Sequence, residues 1–238
     1  MANYLILLAG GIGSRMGASL PKQFFIVKDK PVIIHTLSCF QKNDNIDGIL
    51  IVCVRDWICY LQTMIGEYNL SKVKWIIEGG SCGHDSTRNG LFFLKDLISP
   101  DDFIIVHDAV RPIIPQKAID EMIDIAHKKG NASLAIPCYE TAIFSSDGLS
   151  GIKDLDRNSF MRIQTPQAYN YGEILKLYER ADAENKHDFV YADLVLTHYG
   201  KRVFFSKGFT NNIKITKKED IALCEALMSF SEEELYGL

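Results

Sequence analysis

No stretch of the 238-residue chain approaches the ~20 consecutive apolar residues that a membrane-spanning helix requires, so a membrane is not expected as a partner. The sequence opens Met1-Ala2-Asn3-Tyr4 and runs directly into a short apolar strand. It lacks the basic region and long apolar stretch of a secretory signal, which sets the expectation of a cytoplasmic protein. Excess positive charge is missing too: 26 Lys and Arg stand against 30 Asp and Glu, for a formal charge of -4. Such a balance does not hold nucleic acid along a surface, so any phosphate ligand must be met by locally placed cations. Cysteine is present but unorganised. The six, Cys39, Cys53, Cys59, Cys82, Cys138 and Cys224, form no CxxC pair, which argues against zinc and against a disulfide framework. Where they fall in apolar runs such as 51–54 they read as small buried hydrophobes in a reducing compartment.

What is present is the profile of a folded globular protein, 47% hydrophobic, 24% charged and 11% aromatic. The length suits one α/β domain with a modest appendage. Apolar, strand-like runs occupy 4–9, 48–54, 73–77 and 103–106, and helical patterns occupy 31–40, 86–97 and 116–128. Further along, 171–184 reads as a helix, 202–205 as a strand and 219–230 as a closing helix. Strands that alternate with helices at this spacing predict a mostly parallel sheet covered on both faces. Ligands of such sheets collect at the carboxyl ends of the strands, where three polar clusters fall: 10–15, 79–86 and 107–111. Between 137 and 164 the pattern breaks into short pieces around Ser145-Ser146-Asp147-Gly148, a turn signal that predicts an inserted β-arm.

The first cluster, Ala9-Gly10-Gly11-Ile12-Gly13-Ser14-Arg15, joins a strand end to glycines that admit a phosphate close to the backbone. Lys22 follows in Leu20-Pro21-Lys22-Gln23-Phe24. The spacing is not that of a P-loop, and the acid expected about 20 residues into a dinucleotide-binding unit is absent, because Pro21-Lys22-Gln23 and a helix occupy that interval. An NAD-dependent oxidoreductase is therefore set aside. Asp108 follows the fourth strand, where it is either a helix cap or a ligand-facing carboxylate.

Taken in order, Ala9-Gly10-Gly11 to Met16-Gly17, Pro21-Lys22-Gln23, Gly79-Gly80-Ser81, His107-Asp108-Ala109-Val110-Arg111-Pro112, Thr165-Pro166-Gln167 and Asn212-Ile213-Lys214-Ile215-Thr216 carry a resemblance over nearly the whole chain. The sequence resembles the CTP-dependent cytidylyltransferases that activate ribitol 5-phosphate and 2-C-methyl-D-erythritol 4-phosphate, within the nucleotide-diphospho-sugar transferase superfamily. The resemblance implies a Rossmann-like α/β fold forming a single nucleotidyltransferase domain over 1–238, with the arm at about 137–164 crossing to a second subunit in a homodimer. It implies CTP and a polyol phosphate as substrates and Mg2+ as cofactor, with Asp108 as the metal-holding carboxylate.

By the same resemblance Arg15, Lys22 and Lys214 are the catalytic cations. Ala9, Gly10, Gly11, Gly13, Gly79, Gly80, Ser81 and Ser86 bind CTP, and Asp108, Arg111, Thr141, Arg157 and Thr165 bind the acceptor. Such roles are physically coherent, because transfer of a nucleotidyl group to an acceptor phosphate needs positioning and charge neutralisation rather than a side-chain nucleophile. The sequence departs from the family at Gly83, where an Arg is common, with His84 and Arg88 nearby, and at Val190-Tyr191-Ala192-Asp193, where Thr-Asp-Asp is common. The Leu8-Ala9-Gly10-Gly11 start is closer to the ribitol branch, which feeds cell-wall or capsule polymers, than to the methylerythritol branch of isoprenoid synthesis. A non-catalytic nucleotide-binding module is the remaining contrast, and the joint presence of Arg15, Lys22 and Lys214 argues against it.

Overall fold

The computed structural model describes residues 1–11 and 20–237 of the chain. In order the elements are β1 (Asn3–Ala9), β2 (Ile26–Val27), β3 (Lys30–Pro31), α1 (Val32–Gln41), β4 (Gly48–Cys53), α2 (Ile58–Glu67), β5 (Val73–Glu78) and α3 (Gly83–Phe93). They continue with β6 (Phe103–Asp108), α4 (Gln116–Lys129), β7 (Asn131–Pro137), β8 (Ala142–Phe144), β9 (Lys153–Leu155), β10 (Met161–Asn170), α5 (Tyr171–Ala183), α6 (Ala192–His198), β11 (Phe205–Lys207), α7 (Glu219–Leu227) and α8 (Glu232–Tyr236).

Seven strands form one sheet in the order β11-β7-β10-β6-β1-β4-β5. β1 pairs in parallel with β4 and β6, and β4 with β5. The central β1, β4 and β6 carry long apolar runs because both of their faces are covered, while β5 lies at the sheet edge. Successive side chains point to opposite sides, so Leu5, Leu7, Ile49, Ile51 and Ile105 meet Ile33 and Leu37 of α1 and Met122 of α4. Ile6, Leu50, Val52, Ile104 and Val106 meet Leu91 of α3, Ile174 and Tyr178 of α5, and Val195 of α6. All ten strand residues are buried, and truncating one such Leu or Ile to Ala costs about 2–5 kcal/mol.

The mostly parallel sheet flanked by helices agrees with the sequence reading, and the difference lies in β10. Thr165-Pro166-Gln167, a motif to which the sequence reading assigned no strand, lies inside a ten-residue strand antiparallel to both β6 and β7. An antiparallel strand starts at the carboxyl end of β6 and runs back toward its beginning, with Gln167 opposite Val106 and Asn170 opposite Phe103, and so its first half places Thr165 at the edge where Asp108 ends its strand. The pairing of β10 with β7 shifts register between Ile163 and Gln167, in the stretch that contains Thr165. The helix expected over 86–97 instead spans Gly83–Phe93, and the strand expected over 202–205 instead spans Phe205–Lys207. The inserted arm is narrower than 137–164: β7 ends at Pro137 and β10 begins at Met161, with the two-stranded hairpin β8–β9 between them.

Candidate active site

A cavity of about 920 Å3 opens at the carboxyl ends of β1, β4, β5 and β6. Ala9, Gly10 and Gly11 after β1, Gly79, Gly80, Ser81 and Ser86 after β5, Asp108 at the end of β6, and Lys22 and Lys214 all line it. Gly13 and Arg15, expected in the same loop, lie outside the described residues.

Two glycine segments abut to make one wall. A methyl group added to Gly79 would stand 3.4 Å from the Gly10 Cα and 3.2 Å from Ser86 Oγ, and one added to Gly10 would stand 3.0 Å from the same hydroxyl. One added to Gly80 would overlap the Asp85 backbone and Cβ. Main chain thus faces the cavity because side chains have no room there. Ser86 is buried, and its hydroxyl accepts from the Gly80 N–H at 3.1 Å, so it shapes the wall. The Ser81 hydroxyl donates to the Asp85 carboxylate, and this hydrogen bond lowers the Asp85 pKa.

Lys22 starts a short 3-10 turn, Lys22–Phe24, whose second residue anchors it. Gln23 is buried and its Nε2 donates to the Ala9 carbonyl at 2.7 Å, tying the turn to the end of β1. The Lys22 stem runs alongside the glycine segment, with Cε 3.8 Å from where a Gly11 methyl would stand. Gln23 received no role from the sequence, although its place in the Pro21-Lys22-Gln23 motif was the available signal.

Asp108 is the electrostatic centre of the opposite wall. Its Oδ1 accepts from Lys214 Nζ at 2.9 Å and its Oδ2 from Arg111 Nε at 2.9 Å. Burial by itself would raise the pKa of this carboxyl. The charges and hydrogen bonds of Lys214 and Arg111 outweigh that and hold it well below the usual carboxylate range. Asp108 ends a strand, and α4 starts only at Gln116 behind Pro115, so the helix-cap reading does not hold.

Arg111 and Thr165, expected to bind the acceptor, stand behind Asp108 and are not among the residues that line the cavity of the single chain. Arg111 spends Nη1 on the Asn212 carbonyl at 2.8 Å. Thr165 Oγ1 accepts from the Asp108 N–H at 3.2 Å and faces Oδ2 at 3.4 Å. His107, fully buried, donates from Nε2 to the Arg111 carbonyl at 3.1 Å and closes the turn. Burial pushes its pKa down to about 3, so the ring is neutral at working pH.

Thr141 and Arg157 are exposed in the arm, outside the cavity lining of their own chain. Arg157 reaches the Tyr139 carbonyl at 3.5 Å, and Asp156 caps the following turn through the Asn158 N–H at 3.1 Å. Gly83 lines the cavity, but His84 is buried against Tyr178 with ring centroids 4.8 Å apart, and Arg88 pairs with Asp182 at 2.7 Å. Neither side chain takes the place of an Arg at Gly83. Val190 and Tyr191, from the second departing segment, do line the cavity.

Among the described residues no group of three or more His, Cys, Asp or Glu side chains stands together as a metal cage. Glu78 and Asp108 are the carboxylates that line the cavity, and both oxygens of Asp108 already accept from cations. This donor set suits a magnesium ion that arrives on a triphosphate and takes one or two protein carboxylates at most. No helix among the described residues is long and apolar enough to cross a membrane.

A main-chain wall with Lys22 beside it, facing a carboxylate held by Lys214 and Arg111 at the carboxyl edge of a mostly parallel sheet, defines the class as an α/β nucleotidyltransferase. Residues 4–230 match the family described as IspD, 2-C-methyl-D-erythritol 4-phosphate cytidylyltransferase, and the chain belongs to that family of CTP-dependent enzymes. The ribitol-5-phosphate cytidylyltransferase of Lacticaseibacillus paracasei is 35% identical over 229 residues, covering 95% of this chain and 98% of that protein. The 2-C-methyl-D-erythritol 4-phosphate cytidylyltransferase of Clostridium botulinum is 35% identical over 227 residues, covering 95% and 97%. In fold, the chain is similar to the 4-diphosphocytidyl-2C-methyl-D-erythritol synthase of Anaerococcus prevotii, with a TM-score of 0.81 at 23% identity over 96% of this chain and 99% of that one.

Proposed function

We propose that the protein transfers CMP from CTP to the phosphate of D-ribitol 5-phosphate, releasing pyrophosphate and forming CDP-ribitol. The observation that carries the reaction is the cavity itself, with the Gly10–Gly79–Gly80 main-chain wall and Lys22 on one side and Lys214 and Asp108 on the other. The choice of acceptor is supported by relatives named ribitol-5-phosphate cytidylyltransferase at 35% and 34% identity.

An oxygen of the acceptor phosphate attacks the α-phosphorus of CTP in line. A new P–O bond forms, the bond to the bridging oxygen breaks, and pyrophosphate leaves with the electron pair. Lys22 and Lys214, together with Arg15 four positions after Gly11 in the sequence, neutralise the charge that accumulates on the phosphoryl oxygens. Asp108 holds Lys214 at the acceptor side, and Arg111 and Thr165 hold Asp108. The glycine wall orients the nucleotide through main-chain groups. Asp108 or Glu78 is the carboxylate that would hold a magnesium ion bound with the substrate, and the ion would supply further neutralisation of phosphate charge. The arm brings Thr141 and Arg157 to the acceptor site of a second copy in a homodimer, a reading supported by the exposure of Ile143, Leu149 and Ile152 on the arm. We place the enzyme in the cytoplasm.

Pyrophosphate release with CTP, Mg2+ and each of ribitol 5-phosphate, 2-C-methyl-D-erythritol 4-phosphate and glycerol 3-phosphate tests the reading. Release with the first in preference to the others is expected, and silence with all three overturns it. Lys22→Ala should reduce turnover by about 100-fold or more with an unchanged thermal midpoint, as expected when transition-state charge loses its partner.

A further inference from the structure

Val190 and Tyr191 enter the cavity immediately before α6, in the segment whose sequence departs from the family. Tyr191 occupies the N-cap position of α6, where a Ser, Thr, Asp or Asn would ordinarily bond the first-turn N–H groups, and its side chain makes no such bond. The ring instead faces a cation: Lys214 Nζ lies 5.7 Å from its centroid. The same ammonium lies 2.9 Å from Asp108 Oδ1. Lys214 is therefore held between a carboxylate and an aromatic face, with 30% of its side chain open toward the cavity.

The ring has a fixed origin. Two residues further on, Asp193 is buried and accepts three hydrogen bonds, from Ser133 Oγ at 2.8 Å, Gln167 Nε2 at 3.0 Å and Tyr169 OH at 2.7 Å. These donors sit on β7 and β10, so Asp193 pins the first turn of α6 to the sheet and fixes where the chain before it enters the cavity. A flexible lysine stem has many rotamers, and a ring with a negatively polarised face selects those that place the ammonium over it.

We propose that Tyr191 is a positioning residue for Lys214, its ring holding the ammonium at the acceptor side of the cavity for cytidylyl transfer. The proposal rests on the reading of Lys214 as a cation of that reaction. An ordinary apolar wall for the substrate is the contrasting role. A wall contacts the acceptor and is read in KM, whereas a ring acting through Lys214 is read in kcat and only while Lys214 is present.

The test compares wild type, Tyr191→Leu, Tyr191→Phe, Lys214→Met and the Tyr191→Leu/Lys214→Met double variant in pyrophosphate release with CTP and ribitol 5-phosphate. Tyr191→Leu should lower kcat about tenfold, as a partly desolvated cation–π contact implies, with little change in acceptor KM. Tyr191→Phe should recover most of that loss, and Tyr191→Leu should add nothing in the Lys214→Met background. A raised KM at unchanged kcat, failure of Phe to recover the rate, or an equal loss in both backgrounds overturns the proposal.

A second readout is independent of turnover. The Lys214 ε-methylene resonance, assigned by its loss in Lys214→Met, should be shifted upfield by the ring, keep that shift in Tyr191→Phe and lose it in Tyr191→Leu. A wild-type signal at the ordinary lysine position overturns the proposal. An upfield signal in a protein that releases no pyrophosphate upholds the contact and removes only the assigned reaction.

Discussion

Lys214 Nζ and Asp108 Oδ1 meet at 2.9 Å across 106 positions of sequence, joining the stretch before α7 to the end of β6. The contact is backed by a main-chain hydrogen bond from Ile215 N to Val110 O at 3.0 Å, so the two segments are tied as backbone before their charges meet. Arg111 completes the arrangement from the buried side, and one carboxylate thereby orients two cations, of which only Lys214 faces the cavity.

Asp108→Asn retains the shape and removes the charge. Arg111, itself buried, is left without its counter-ion, and breaking a buried pair in this way costs about 3–5 kcal/mol. The urea midpoint should fall with an unchanged slope, and turnover should fall by more than the loss of folded protein explains. A midpoint equal to that of wild type would show that the pair does not support the fold.

His107 gives the fold a dependence on pH. Its folded pKa, about 3, lies below the ordinary value of 6.5, so between those values the unfolded chain binds more protons and stability rises with pH. The contribution is complete above pH 6.5 and is lost as pH falls toward 3, at up to about 1.4 kcal/mol per pH unit for one proton. His107→Gln, which keeps a donor for the Arg111 carbonyl, should show a shallower loss of stability from pH 6.5 to 4.5 in denaturant titrations. Parallel curves for the two proteins would assign the dependence to other groups.

Gly80→Ala and Ser86→Ala probe the main-chain wall in two ways. The first forces the loop away from Asp85, where the added methyl has no space, and should raise the KM for CTP at least tenfold. The second removes the acceptor of the Gly80 N–H and should cost about 1 kcal/mol of stability, with a smaller rise in KM. Calorimetric CTP affinities equal to wild type in both variants would move nucleotide recognition elsewhere.

Charge on the arm tests the proposed dimer. Leu149→Asp combined with Ile152→Asp alters residues that are 93% and 70% exposed in the single chain, so folding of one copy should be unaffected. Light scattering should report a shift from dimer to monomer, and activity should fall if Thr141 and Arg157 serve the neighbouring copy. A dimer that persists at wild-type strength would place the interface away from the hairpin.

The strands at 48–54 and 103–106 were legible because a sheet covered on both faces requires apolar residues at every position, and the edge strand at 73–77 was legible from its β-branched and aromatic residues despite Lys74, both local signals. β7 and β10 were not read as strands. β10 carries no regular alternation, because the polar run Gln164-Thr165-Pro166-Gln167 interrupts it, and Gln164, Thr165 and Gln167 are buried polar groups whose partners come from distant segments. The same holds at the site. Lys22, Lys214, Gly10, Gly11, Gly79 and Gly80 were named from motifs and line the cavity, whereas Arg111 and Thr165, named as acceptor contacts, hold Asp108 from behind. Whether a polar side chain faces the ligand or backs another residue is set by packing, which motif order does not encode.

The sequence alone determined the α/β class, the family and the chemistry: glycines after a strand for close backbone approach, lysines at motif positions for phosphate charge, and no charge excess or apolar span to suggest another kind of partner. Only the tertiary structure decided that Asp108 already accepts from two cations, that Asp193 is a buried anchor and that Tyr191 faces Lys214. Each of those facts is a distance between segments far apart in sequence, and such distances exist only after the hydrophobic faces of the sheet have been covered and the strand order is set.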